Sequence, residues 1–257
     1  MEFTIRGAQA GKHILCEKPM AISSGECRKM INACKKAKVK LMIAYRMQFQ
    51  PHALKLKKMI SSKRFGNIRY IEAANGQSSA NPDHWRHKAE FAGGGALPDI
   101  GIYCLNTTRF LLDQEPIEIF AYQYSPPGDP LFKDTEELIS WQMKFSGGLI
   151  ASCMAHYKVR EVKTIRIHAE KGWMFMDKAF AYKGQQLSSS RAEGEEEILE
   201  TVSLAEPNQF AEEMDHFSNC IISNTAPKTP GEEGLRDHLI MEAIYKSAKT
   251  ARPVRIK

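Results

Sequence analysis

Two hydrophobic periods run along the chain, and the switch between them divides it. Residues 13–16 (HILC) are a short apolar run ending at Glu17-Lys18-Pro19, the pattern of a buried strand stopped by proline. From 24 to 37, Cys27, Met30, Ile31, Cys34 and Ala37 recur at the spacings of a helix with one buried face. Ser23 or Ser24 can cap that helix, Glu26 suits its first turn, and lysines crowd its last. Residues 40–45 (KLMIAY) read as a second apolar strand. Strand, helix and strand in so short a span make one βαβ unit, for which a parallel pair and a right-handed crossover are the default.

After residue 47 the pattern changes. A helix is predicted over 52–62, closed by Phe65-Gly66, and then a strand over 67–74. A loop rich in Asn, Ser and Gly leads through His84-Trp85-Arg86 to Gly93-Gly94-Gly95. Pro98 fits the first turn of a helix running to about Leu112. Strand-like runs follow at 116–124, 136–145, 148–157, 162–170 and 172–177, with Gly147-Gly148 as a hairpin turn. No helical pattern separates them, which argues for an antiparallel sheet. The acidic stretch 193–200 reads as a loop or an edge, and helices close the chain at 208–223, capped at Asn208, and 232–250. A lone two-strand parallel sheet is a poor stand-alone domain. Strand 13–16 starts near the chain start, so its apolar edge is expected to lack a neighbour and to promote self-association.

Composition narrows the class. The 257 residues are 43% hydrophobic and 26% charged, ordinary for a globular protein. No run of 18 apolar residues exists, so no membrane span is expected, and MEFTIRGAQAGKH has no apolar core of signal-peptide length. The six cysteines form no C-x-x-C pair and read as free thiols of a reducing, cytoplasmic compartment. Charge is uneven: residues 1–70 hold 16 Lys/Arg against 3 Glu, and the remainder 20 against 27 acidic residues. Solvated helix faces account for most of that basic excess, and an anionic cofactor suits the rest. Few aromatics interleave with the lysines, so nucleic acid is not an expected partner.

Candidate chemistry collects in two places. Lys18 lies at the C-terminal end of a parallel strand, where open α/β sheets bind ligands. Asp99 and Tyr103 are four apart on a predicted helix and share a face, with Asn106 one turn on, while Ile100, Cys104 and Leu111 lie on an apolar face. A carboxylate and a phenol projecting together suit proton transfer beside a hydroxyl. An acid favouring the helix dipole next to a half-buried tyrosine is the plainer alternative. The glycines at 93–95 do not complete G-x-G-x-x-G, since Pro98 stands at the third position, and no other stretch does. The histidines have no metal-ligand spacing, so no metal is expected.

The segments AGKHILCEKPM, IAYR, WRHKAEFAGGGALPDIGIYCLN, PNQF…DHF and TPGEEGLRDHLIMEAIYKSAKTARPV occur in an order that resembles the Gfo/Idh/MocA family across residues 7–254. Tyr103, where many relatives have His, resembles the glucose–fructose oxidoreductase branch. The resemblance implies an α/β fold. Residues 1–47 would be the remnant of a doubly wound parallel Rossmann domain, reduced to one βαβ unit. Residues 48–257 would be an α+β domain for substrate binding and oligomerisation, with a large open, mainly antiparallel sheet. It implies NADP or NAD as cofactor, with the adenosine and pyrophosphate half of the site missing from this chain because the fingerprint is absent. Glu17, Lys18, Pro19, Arg46, Trp85, Arg86 and Tyr182 would meet the nicotinamide side, with a cis Lys18–Pro19 bond. Tyr182 could equally be a strand aromatic packed on the sheet. Lys18, Asp99 and Tyr103 would be catalytic: Tyr103 takes the proton of a sugar hydroxyl, Lys18 supplies the charge a phenol needs to act as a base near neutrality, and Asp99 holds the sugar or the lysine. A homo-oligomer through the C-terminal sheet is the expected assembly. The competing expectation is a non-catalytic remnant that binds sugar or oligomerises.

Overall fold

The computed structural model describes every residue except Ala80, Pro82 and Lys257. Its first part is the βαβ unit. Helix α1 (Glu2–Gln9) leads into strand β1 (Ile14–Glu17), helix α2 (Ser24–Ala37) and strand β2 (Leu41–Ala44). β1 and β2 pair in parallel, Ile14 opposite Leu41 through Glu17 opposite Ala44. α2 starts where Ser23, in extended conformation, accepts a hydrogen bond from the Glu26 amide, and it ends at Lys38 in the left-handed region. Its buried face is Cys27, Met30, Ile31 and Cys34, the periodic set in the sequence. Every residue of β2 is buried.

Helix α3 (Pro51–Ser61) then leads to a nine-stranded sheet. Strand β3 (Ile68–Ser78) is followed by a short helix α4 (Ala89–Ala92) and by helix α5 (Ile102–Leu112). Strands β4 (Glu118–Tyr124), β5 (Leu138–Lys144), β6 (Ile150–His156), β7 (Lys158–Ala169), β8 (Gly172–Asp177), β9 (Gln186–Glu193) and β10 (Glu196–Val202) come next. Helices α6 (Gln209–Ile222) and α7 (Gly231–Thr250) and a short strand β11 (Val254–Arg255) close the chain. The strand order is β10-β9-β8-β7-β3-β6-β5-β4-β11. Only β3 and β6 run parallel; the other neighbours are antiparallel.

Period-two alternation sends Ile71, Ala73, Ile119, Ile139, Trp141, Met143, Cys153, Ile165, Ile167, Met174 and Met176 to the buried inner face of this sheet. Helices α5 and α7 pack against that face, and α7 also reaches α2 and β2, tying the sheet to the βαβ unit. The other face carries Tyr70, Tyr122, Tyr124, Arg166 and Trp173 and has no helix packed on it among the described residues.

Two expectations change in detail, and a third, the acidic stretch as a loop or an edge, resolves to the edge. The helix placed over Pro98 to Leu112 opens with a π turn over Leu97–Gly101 before α5. The strand expected at 162–170 starts earlier, at Lys158. The acidic stretch belongs to a hairpin in which β10 is an edge strand, its glutamates facing solvent at one end of the sheet. Its partner β9 was missed because its inward positions include serines rather than large apolar residues.

Candidate functional site

A cleft of about 1040 Å³ opens at the C-terminal end of β1. Glu17, Lys18 and Pro19 line one side, with a cis Lys18–Pro19 bond. Asp99 and Tyr103 line the next, and Trp85, Arg86, Tyr157, Lys163 and Tyr182 complete much of the rest.

Asp99 is placed by packing as well as by its own contacts. The buried Glu136 carboxylate accepts hydrogen bonds from the Gly95 and Leu97 amides, both at 2.8 Å, and from the Tyr245 hydroxyl at 2.9 Å. These bonds dock the glycine turn on β5's approach and aim the π turn at the cleft. A Cβ on Gly95 would lie 2.2 Å from the Glu136 carbonyl oxygen, and one on Gly94 2.0 Å from the Tyr245 hydroxyl. The glycines therefore serve close packing.

The Asp99 carboxylate is held from two directions. Arg86 Nε donates to Oδ1 at 3.0 Å, and the Tyr157 hydroxyl donates to Oδ2 at 2.7 Å. Burial, with the neighbouring Asp99 charge, pushes the Tyr157 phenol far above its ordinary pKa, so it stays a donor. Lys18 Nζ donates to the Asp99 backbone carbonyl at 2.6 Å and lies 3.8 Å from Oδ1. The lysine is thus tied mainly to Asp99's main chain.

Tyr103 sits between two cations. Lys18 Nζ is 4.5 Å and Arg46 Cζ 4.7 Å from its ring centroid, and Arg46 Nε donates to its hydroxyl at 3.3 Å. Arg46, expected against the cofactor, is only 4% exposed. Its other nitrogens donate to the Phe180 carbonyl at 2.6 Å, Gln209 Oε1 at 2.9 Å and the Ala181 carbonyl at 3.3 Å. Its guanidinium also lies 4.8 Å from the Tyr182 ring. Tyr182 occupies the turn after β8, not a strand, and is exposed beside Phe210. Trp85 is half exposed with Arg86 Cζ 4.6 Å from its ring.

Asn106 departs from the face assigned to it. It is buried, accepts from Gln48 Nε2 at 3.1 Å, and donates to Glu233 and Asp237 at 2.9 Å each. With Arg109, which pairs with Glu115, Glu233 and Asp237, it anchors α5 to α7 behind the site. Tyr157, Glu136 and Lys163 had no signal in the sequence, because only strand register and turn docking bring them here. No group of three or more His, Cys, Asp or Glu is placed to hold a metal ion among the described residues.

Comparison with known proteins gives a consistent set of relatives. Residues 1–45 match the family described as "Oxidoreductase family, NAD-binding Rossmann fold", and residues 53–175 match the GFO/IDH/MocA C-terminal domain. D-xylose 1-dehydrogenase [NADP(+)] of Haloarcula marismortui is 31% identical over 254 residues, which is 97% of this chain and 69% of that protein. 1,5-Anhydro-D-fructose reductase of Ensifer adhaerens is 26% identical, over 100% of this chain and 76% of its own. The crystal structure of aldose-aldose oxidoreductase from Caulobacter crescentus, complexed with glycerol, superposes with a TM-score of 0.94 at 38% identity, covering 99% of this chain and 75% of that one.

Proposed function

Since the chain belongs to the GFO/IDH/MocA family of NAD(P)-linked oxidoreductases, we propose that its cleft oxidises or reduces a sugar or sugar-like polyol at one hydroxyl-bearing carbon. The observation that carries this reading is the convergence of Lys18, Asp99 and Tyr103 in one cleft at the end of a parallel strand. Residues 1–47 form the dinucleotide side in this reading and residues 48–257 the substrate side.

The donor set fits a nicotinamide. Lys18 offers a cation, Trp85 a half-exposed and Tyr182 an exposed aromatic face, within a cleft large enough for a ribosyl-nicotinamide and a sugar. Glu17, Lys18, Pro19, Trp85, Arg86 and Tyr182 would hold it. The sequence has no G-x-G-x-x-G, so the contacts assigned here stay on the nicotinamide side. When bound, the nicotinamide supplies the hydride acceptor or donor.

The remaining chemistry belongs to the chain. In oxidation, Tyr103 Oη takes the proton of the sugar hydroxyl as the carbonyl forms; in reduction it returns that proton. Its phenolate form accepts the proton in oxidation and is left behind in reduction, and the two cations beside its ring stabilise that negative charge. Arg46, whose nitrogens are engaged with the protein, positions Tyr103 and leaves substrate contact to others. Lys18 orients on the Asp99 carbonyl, and Asp99, fixed by Arg86 and Tyr157, offers a preset acceptor to the sugar.

The same reading includes self-association. Tyr122 and Tyr124 stand exposed on the uncovered sheet face, beside Phe120 on the same strand. Aromatics on such a face are the composition of an interface core.

Titration with NADPH and NADH, followed by turnover with D-xylose, D-glucose and 1,5-anhydro-D-fructose, tests the function. Saturable binding with sugar-dependent change in reduced nicotinamide is expected. Sugar binding with no nicotinamide binding would overturn the reading in favour of a sugar-binding module.

A further inference from the structure

We infer that Lys163 determines substrate specificity in this cleft, donating to a hydroxyl of a neutral sugar. The inference rests on the sugar-oxidoreductase reading and adds which part of the sugar is read, and by what.

The inward face of the sheet shows why. β3 and β7 pair Ile71 with Ile167, Ala73 with Ile165, and then Asn75 with Lys163. The first two pairs are buried apolar contacts of the core. At the third pair the same face turns polar, and that is where the strands pass under the cleft. A lysine following two core residues at period two has no packing reason to be there. Its main chain is fixed by a 2.7 Å bond from the Ala179 amide to the Lys163 carbonyl, and its side chain is only 17% exposed.

The ammonium has spare capacity. Lys163 Nζ donates to Glu161 at 2.6 Å, its one side-chain hydrogen bond among the described residues. An ammonium has three donors, so two remain for a ligand. Next to it, Asn75 is 2% exposed and uses Nδ2 on the Ile100 carbonyl at 2.9 Å, while its Oδ1 is buried without a partner. A buried acceptor without a protein partner at a cleft wall is satisfied by a water, a ligand or a rearrangement of the cleft.

Charge selects the ligand class. Glu161 neutralises Lys163, and Asn75 is neutral, so the wall offers hydrogen bonds with no net charge. Such a wall suits hydroxyls. A sugar carboxylate placed there would meet a cation whose charge Glu161 already neutralises from outside the cleft lining. Removing the glutamate's charge should invert that preference.

The test compares D-glucose with D-glucuronate, which differ only in oxidation at one carbon, using ligand-observed NMR titration of the wild type, Lys163→Met and Glu161→Gln, each with and without NADPH. A charge-assisted hydrogen bond corresponds to roughly a tenfold to hundredfold change in affinity. Lys163→Met should weaken D-glucose binding by about that factor and leave NADPH binding unchanged. Glu161→Gln should raise the affinity for D-glucuronate relative to D-glucose. Unaltered melting temperatures would establish that both variants fold. D-glucose binding that is absent from the wild type, or that Lys163→Met leaves unchanged, would overturn the inference. Failure of hydride transfer with Lys163-dependent sugar binding intact would instead overturn the proposed function alone.

Discussion

Glu213 illustrates how a single residue can store a pH response beside the site. It lies on α6, 2% exposed, and its Oε1 has no partner. Burial, reinforced by the Glu17 carboxylate and opposed by Arg46, raises its pKa from 4.5 to about 8. The folded state therefore keeps a proton that the unfolded chain has already released. Stability present below the unfolded value is lost as pH climbs between 4.5 and about 8, and the loss levels off above that. Glu213→Gln should flatten this decline. Urea unfolding at acidic and alkaline pH checks it: the variant should gain on the wild type as pH rises, and equal slopes would refute the assignment. Glu213 was not visible in the sequence as anything but a helix-surface acid. Lys18, Asp99 and Tyr103 were visible, because a strand end and helical spacing are local signals.

Among the elements, the glycine turn before α5 carries the most geometry for its length. A methyl on Gly95 must displace the backbone of Glu136, since the contact would be 2.2 Å. Gly95→Ala should cost about 1–3 kcal/mol through overpacking and disturb the Glu136 bonds that aim Asp99. A lowered melting temperature with a larger loss in kcat/KM than in cofactor affinity is the expected signature. Elements whose sequence obeys one period were legible. In α2, cap, apolar face and basic end agree, and its bounds match the expectation. The hairpin β9–β10 was illegible for the converse reason: buried Ser189 and Ser190 on β9 and a run of glutamates on β10 follow no apolar alternation. Lys163 and Tyr157 were hidden more deeply. Their meaning comes from strand register, and β3 pairs with β6 and β7 across long stretches of chain that no local pattern reports.

For the whole molecule, two surfaces bear on assembly. Among the described residues β1 pairs only with β2, and no strand lies on its other edge. The outer face of the nine-stranded sheet is open and carries Tyr122 at 65% exposure. Light scattering should show a species larger than one chain, and Tyr122→Glu should shift it toward monomer if the sheet face forms the contact. An unchanged mass would assign the contact to the β1 edge or elsewhere. The architecture also explains how one cleft draws on distant segments. α7 packs on both the sheet and the βαβ unit, and the buried Arg109–Asp237 pair joins it to the helix that carries Tyr103.

In the proposed function Tyr103 moves the proton when a sugar hydroxyl is oxidised at this cleft. The most direct measurement is steady-state reduction of NADP or NAD by D-xylose or D-glucose, with the wild type beside Tyr103→Phe. General acid–base catalysis contributes about 10²–10⁴ in rate, so the variant should lose kcat by that factor while nicotinamide affinity stays within twofold or so. A Tyr103→Phe enzyme with wild-type kcat would contradict the account.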